Sequence, residues 1–254
     1  SYLEWESRRK KKKKMKISKF THTKPDSDGD VRLQCTAMIE NDSDHDIEFV
    51  LISNIIVNSS GATIGGDRTE EEDVFIDAKE SGEIDVNCGW GMHEALFEGK
   101  PEKTKILVSA TTYRREFVKV GAVDIPQDSN EISMLKKDIS LGGVAELNGV
   151  TVLRLKKDDE GDIPIEIKAG FRNISDTHIE RVQLSSKLQD QRDAVIEEDK
   201  TYSTLPSKSA FLAEPRFWGL KAGKLKNASV VMTASVFIPI DTYTAQASST
   251  LDED

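Results

Sequence analysis

The amino-acid sequence predicts an all-β chain built as two similar β-sandwich domains in tandem, and three observations carry that prediction. The first is an internal repeat. Asn41 to Ile64 (NDSDHDIEFVLISNIIVNSSGATI) returns without a gap as Asn173 to Ile196 (NISDTHIERVQLSSKLQDQRDAVI), about 132 residues later. The shared positions are Asn41/Asn173, Ser43/Ser175, Asp44/Asp176, Ile47/Ile179, Val50/Val182, Ser53/Ser185, Ala62/Ala194 and Ile64/Ile196. A period of this length is the size of a small domain, not of a solenoid unit. The second is alternation: Val31, Leu33, Cys35, Ala37 and Ile39 interleave with Arg32, Gln34, Thr36, Met38 and Glu40, the period of a strand with one buried face. The third is punctuation. Gly, Asp, Asn and Ser clusters interrupt Val-, Ile- and Thr-rich runs about every 8–12 residues, as in a two-sheet sandwich.

Taken in order, Ser1 to Lys14 (SYLEWESRRKKKKK) reads as no part of a fold: Met15 has the look of a native start, and the basic run before it is read as a tag or a disordered arm. Ile17 to His22 is an opening strand, and Val31 to Ile39 a second, matched in the other half by Ile163, Ile165, Ile167, Ala169 and Phe171. A turn at Asn41–Asp44 leads into a long strand from Ile47 to Val57, and Ala62 to Ile64 forms a short one. Arg68 to Glu72 is expected to loop into solvent. Ile84, Val86 and Cys88 alternate again, and Met92 to Phe97 makes one helical turn. Lys105–Tyr113 and Phe117–Ile125 read as two closing strands, mirrored by Ala228–Ile238 and Tyr243–Ala247. Residues 15–126 are therefore the first domain, 127–147 a linker carrying a short helix or strand at Ser133–Lys137, 148–247 the second domain, and 248–254 a disordered acidic tail.

The Asn-x-Ser-Asp turn, the Ile-x-x-Val strand that follows it and the acidic or Gly-rich turn beyond resemble immunoglobulin-like and fibronectin-III-like domains of bacterial or phage type. The resemblance covers both halves and rests on pattern. The antibody-type order Cys…Trp…Cys is absent, because Trp90 follows Cys88 instead of lying between Cys35 and Cys88. It implies a sandwich in each half and a structural or adhesive role.

Charge narrows the partners. The net charge is −10 although Arg8 to Lys14 is strongly basic, so the folded part is more acidic still and offers no basic face for nucleic acid. No apolar run is long enough to span a membrane, and no signal-peptide pattern is visible. A cytoplasmic or virion location follows, or an exported one if a leader has been removed. The two cysteines read as buried free thiols in a reducing compartment and as a disulfide in an oxidising one. The four histidines, His22, His45, His93 and His178, form no metal motif and read as surface residues.

Two constellations are candidate sites. Asp26, Asp28 and Asp30 alternate around Gly29, and Asp158, Glu160 and Asp162 around Gly161. Oxygen ligands at this spacing suit calcium, and the same residues suit a plain hairpin turn. Trp90-Gly91 and Trp218-Gly219 recur as a pair. The simplest reading is a core plug between sheets, the other an aromatic platform at Trp218 and Phe217 for a glycan or partner. No nucleophile elbow, phosphate loop or dinucleotide fingerprint is present. The expectation is a non-enzymatic structural or protein-interaction protein, a virion accessory or decoration protein being one version. The alternative is a secreted or cell-envelope binding module for glycan or protein, stabilised by calcium.

Overall fold

The structure is a computed structural model describing residues 15–71, 74–89, 91–129 and 131–252. The chain is all-β. Its strands are β1 (Met15–His22), β2 (Asp30–Val31), β3 (Leu33–Glu40), β4 (Phe49–Val57), β5 (Thr63–Glu71), β6 (Ser81–Val86), β7 (Met92–His93) and β8 (Lys105–Asp124). They continue as β9 (Ile132–Leu141), β10 (Ala145–Arg154), β11 (Ile165–Asn173), β12 (Ile179–Gln189), β13 (Val195–Leu205), β14 (Ala210–Ala213), β15 (Arg216–Phe217), β16 (Ser229–Ser248) and β17 (Thr250–Leu251). Short 3-10 turns at Glu94–Phe97, Pro101–Lys103 and Ala222–Lys224 interrupt the strands.

The chain divides into two compact units, with boundaries that differ from those read in the sequence. Unit 1 ends at Arg114 and resumes at Pro239, and unit 2 is Arg115–Ile238. Unit 1 has a sheet ordered β17-β1-β3-β6 and the two-stranded pair β2-β7, and unit 2 has a sheet ordered β14-β11-β10-β9, with β15 also on β11. The remaining strands form one six-stranded sheet ordered β13-β12-β16-β8-β4-β5, of which β4 and β5 belong to unit 1 and β12 and β13 to unit 2. The expected pairs of closing strands are single strands. Lys105–Tyr113 and Phe117–Ile125 fuse into β8, and Ala228–Ile238 and Tyr243–Ala247 into β16. Polar Arg114–Glu116 resembles a turn in sequence, yet no residue there forces one. Pro239, which has no N–H to donate, lies just past Val236, the last residue of β16 bonded to β12. Each long strand gives one half to each unit.

Three further expectations change. The linker 127–147 contains β9, whose Ile139 and Leu141 are buried in the unit 2 core. Arg68–Glu71 belongs to β5, paired residue by residue with Val50–Ser53. The tail is not free of structure, since Thr250 and Leu251 pair in parallel with Thr21 and His22.

Each unit has its own core. Val31, Leu33, Cys35, Ala37 and Ile39 enter the unit 1 core, and their counterparts Ile163, Ile165, Ile167, Ala169 and Phe171 enter the unit 2 core. Val50 and Val182 are likewise both buried. The most telling repeat feature is polar. Asn41 and Asn173 are each 0% exposed. The Asn41 amide donates to the carbonyls of His45, Ile76 and Asp77 at 2.8, 3.1 and 3.1 Å. The Asn173 amide donates to those of Thr177, Leu205 and Pro206 at 2.8, 2.9 and 3.1 Å. In each copy the amide oxygen accepts from the backbone and hydroxyl of the serine two residues on. A lysine completes both turns: Lys79 donates to the Asp42 carbonyl and pairs with Asp44, and Lys208 donates to the Ile174 carbonyl and pairs with Asp176.

Candidate functional site

The acidic turns are built as hairpin braces. Asp26 Oδ1 accepts the backbone N–H of Asp28 at 2.9 Å and of Asp30 at 3.0 Å. Asp158 Oδ1 accepts those of Glu160 at 3.0 Å and Asp162 at 2.8 Å. Gly29 and Gly161 sit at φ 80° and 85°, where a side chain would be strained. The two N–H groups on Asp26 hold its carboxyl below the usual range. In the second copy Lys221 reaches the Asp162 carboxylate and donates to the Glu160 carbonyl. The leading aspartates thus face their own backbone, and among the described residues no three His, Cys, Asp or Glu side chains are grouped to hold a metal ion. The geometry is that of the turn reading for Asp26, Asp28, Asp30, Asp158, Glu160 and Asp162.

The aromatic pair separates. Phe217 is 0% exposed and belongs to the unit 2 core, so it cannot present a binding face. Trp218 is 56% exposed and is no core plug. Trp90 lies outside the described residues. Strand register explains the mismatch. Cys35 pairs with Val86 and Ile165 with Phe217, so continuing each ladder places Phe217 opposite the position that Cys88 occupies in the first copy. Aligning the two tryptophans is off by one residue, and one residue reverses the face.

Cys35 and Cys88 are both buried and free. Cys35 donates to the Cys88 sulfur, which together with burial pushes the Cys35 thiol up, while accepting that bond pulls Cys88 down. His22 departs from the expected surface histidine. It is buried, its Nδ1 has no partner, and burial pushes its pKa down against the opposing pull of Glu102. His45, His93 and His178 are exposed as expected.

An apolar groove on unit 1 escaped the sequence reading. Ile55 on β4 and Leu107 on β8 are direct cross-strand partners. They are 51% and 46% exposed and line a groove of about 380 Å³ with Ser53, Ser109, Thr244 and Gln246. Both point away from the core because Ile56, Ile106 and Val108 point into it. The signal was present: on β8 the outward register runs Lys105, Leu107, Ser109, Thr111, and one large apolar residue breaks a polar series. Among the described residues the part of β16 beside this groove has β8 as its neighbour, and β12 pairs only as far as Val236. That leaves Thr244 and Gln246 on a sheet edge.

No protein-family model matches the chain, and no curated protein matches it. Among solved structures it is similar to a conserved hypothetical protein from Bacillus anthracis, at 13% identity and TM-score 0.29, covering 40% of this chain and 92% of that one. It is also similar to pT26-6p, at 6% identity and TM-score 0.28, covering 92% of this chain and 62% of that one. A red sea bream transglutaminase overlaps all of this chain with 33% of its own length, at 8% identity and TM-score 0.23. Overlaps this loose leave the fold resting on the chain's own strands. Among the described residues no helix is long and apolar enough to cross a membrane.

Proposed function

We propose that this is a non-enzymatic interaction protein made of two immunoglobulin-like sandwiches, and that it binds another polypeptide on the outer sheet face of unit 1. The groove between Ile55 and Leu107 carries this reading. Two large aliphatic side chains lie side by side in solvent, and the groove is lined by hydroxyl, amide and aliphatic groups without a charge. Charge is depleted at the centre of protein interfaces, while paired exposed aliphatics have a cost that a partner removes. The edge of β16 beside the groove adds backbone donors and acceptors, the arrangement that strand addition uses. The immunoglobulin-like assignment draws support from the antiparallel strands that enclose a core in each unit and from the repeated Asn-x-Ser-Asp turn.

The test is affinity capture from the native source with wild-type chain and with an Ile55→Glu/Leu107→Glu variant as baits. Both positions are outward-facing, so the variant should keep the wild-type melting temperature. A prey held by wild type and lost by the variant supports the reading. A prey held equally by both places the contact elsewhere and refutes this surface.

A further inference from the structure

We infer a second binding site, on unit 2 and independent of the groove: the outer sheet face around Trp218 is a subsite for a neutral saccharide. Alternation fixes the geometry. Pro215 and Phe217 are buried, while Glu214, Arg216 and Trp218 point outward. Phe217 in the core pins the strand, so the Trp218 ring has to face solvent. A Cβ at the following Gly219 would meet nothing, so the space beside the ring is open.

Polar groups beside the ring are held in place. The Arg216 guanidinium lies 5.9 Å from the Trp218 ring centroid. It is held by Glu166, through Nε at 2.9 Å and through Nη2. The Glu166 side chain is only 7% exposed. Lys168 stands 3.6 Å from both Glu166 and Glu214. The Arg216 backbone N–H donates to Asp199 at 3.2 Å, and that of Trp218 donates to Glu197. The loop is therefore tied to two neighbouring strands. Along β11 the outward positions run Glu166, Lys168, Gly170. Gly170 opens into a depression of about 530 Å³ whose charged lining is Lys136, Lys137, Asp138 and Lys168. From Glu166 to Gly170 is about 13 Å by strand rise.

Beside the ring Arg216 and Lys168 already have carboxylate partners, so an anion finds these two cations engaged. A neutral polyol needs no free charge. Its hydroxyls both donate and accept, so they fit fixed Arg, Lys and Glu groups of both kinds, and the C–H face of a pyranose packs on an indole ring.

The experiment uses the full chain against a panel of neutral oligosaccharides, including gluco-, manno- and N-acetylglucosamine oligomers, with affinities measured by calorimetry. At least one neutral member should bind. Trp218→Ala should weaken it at least tenfold at unchanged melting temperature, Trp218→Phe should weaken it less, and Ile55→Glu/Leu107→Glu should not affect it. Three results would overturn the proposal: no neutral member binding, binding that survives Trp218→Ala, or binding confined to charged sugars. Loss of a protein prey in Trp218→Ala would reassign the face to a protein contact and equally overturn it.

Discussion

Replacing Asn41 by alanine should destabilise the protein by about 3–4 kcal/mol, and replacing Asn173 should do the same. Each side chain is fully buried and joins the end of one strand to its own turn and to one segment more than thirty residues away. Alanine removes two amide hydrogens shared among three carbonyls, and an oxygen accepting two bonds from serine. A hydrogen bond contributes about 1 kcal/mol net, and a buried group left unpaired costs about 1–3 kcal/mol. Part of the loss is recovered. The Ile76 carbonyl keeps its bond from the Ile47 N–H, and water can reach the outer carbonyls near His45 and Asp77. About four lost bonds, partly resolvated, give the stated figure. Asn41→Asp should cost more, since it sets a carboxylate against three carbonyl oxygens with no N–H between them. Urea unfolding of wild type and the three variants, followed by circular dichroism with m-values compared, measures this. A loss below about 1 kcal/mol for either alanine variant would refute the claim that these asparagines hold the turns. A large loss at one copy and none at the other would refute their equivalence.

Excision should be asymmetric. Unit 2 is continuous, so residues 115–238 should fold alone, whereas residues 15–126 lack the β16 half that carries buried Tyr243 and should not; a cooperative transition from 15–126 by itself would overturn the shared-strand description. Asp26→Ala and Asp158→Ala should each lower the melting temperature by removing the acceptor of two backbone N–H groups, and millimolar calcium should leave the wild-type melting temperature where it was; a calcium-dependent rise would restore the metal reading of these turns. Burial lowers the His22 pKa, so below the unfolded value of about 6.5 the unfolded chain takes up a proton that the folded chain resists. Stability should therefore fall as pH drops through about 6.5 and level off below the folded pKa, and His22→Gln should flatten that limb; identical pH profiles for both proteins would count against it.

How much of this was legible in the chain differs between local and long-range features. The buried asparagines stand in the sequence as the first residues of the repeat, yet they read as turn formers, because nothing local shows that a side chain reaches carbonyls more than thirty residues away. The groove residues Ile55 and Leu107 were visible as apolar residues in an outward register, but only the pairing of β4 with β8 brings them together. The paired tryptophans misled for a simple reason. Side-chain direction along a strand has period two, so an alignment wrong by one residue turns a core position into a surface one. That is what separates Phe217 from Trp218.

The sequence by itself determined the all-β class, most strand positions and the alternating core residues of Val31–Ile39 and Ile163–Phe171. Each of these depends on short-range alternation and on turn chemistry, which are written in neighbouring residues. Tertiary structure alone decided which strand halves complete which unit. β8 and β16 stay extended where they pass from one core to the other, although Arg114–Glu116 resembles a turn in sequence, because an extended backbone satisfies its hydrogen bonds with whichever strand lies beside it. It also decided that the acidic residues close turns, that His22 is buried, and that Trp218 faces solvent above a held arginine. Those outcomes rest on partners far apart along the chain, which only folding brings within a few ångströms of one another.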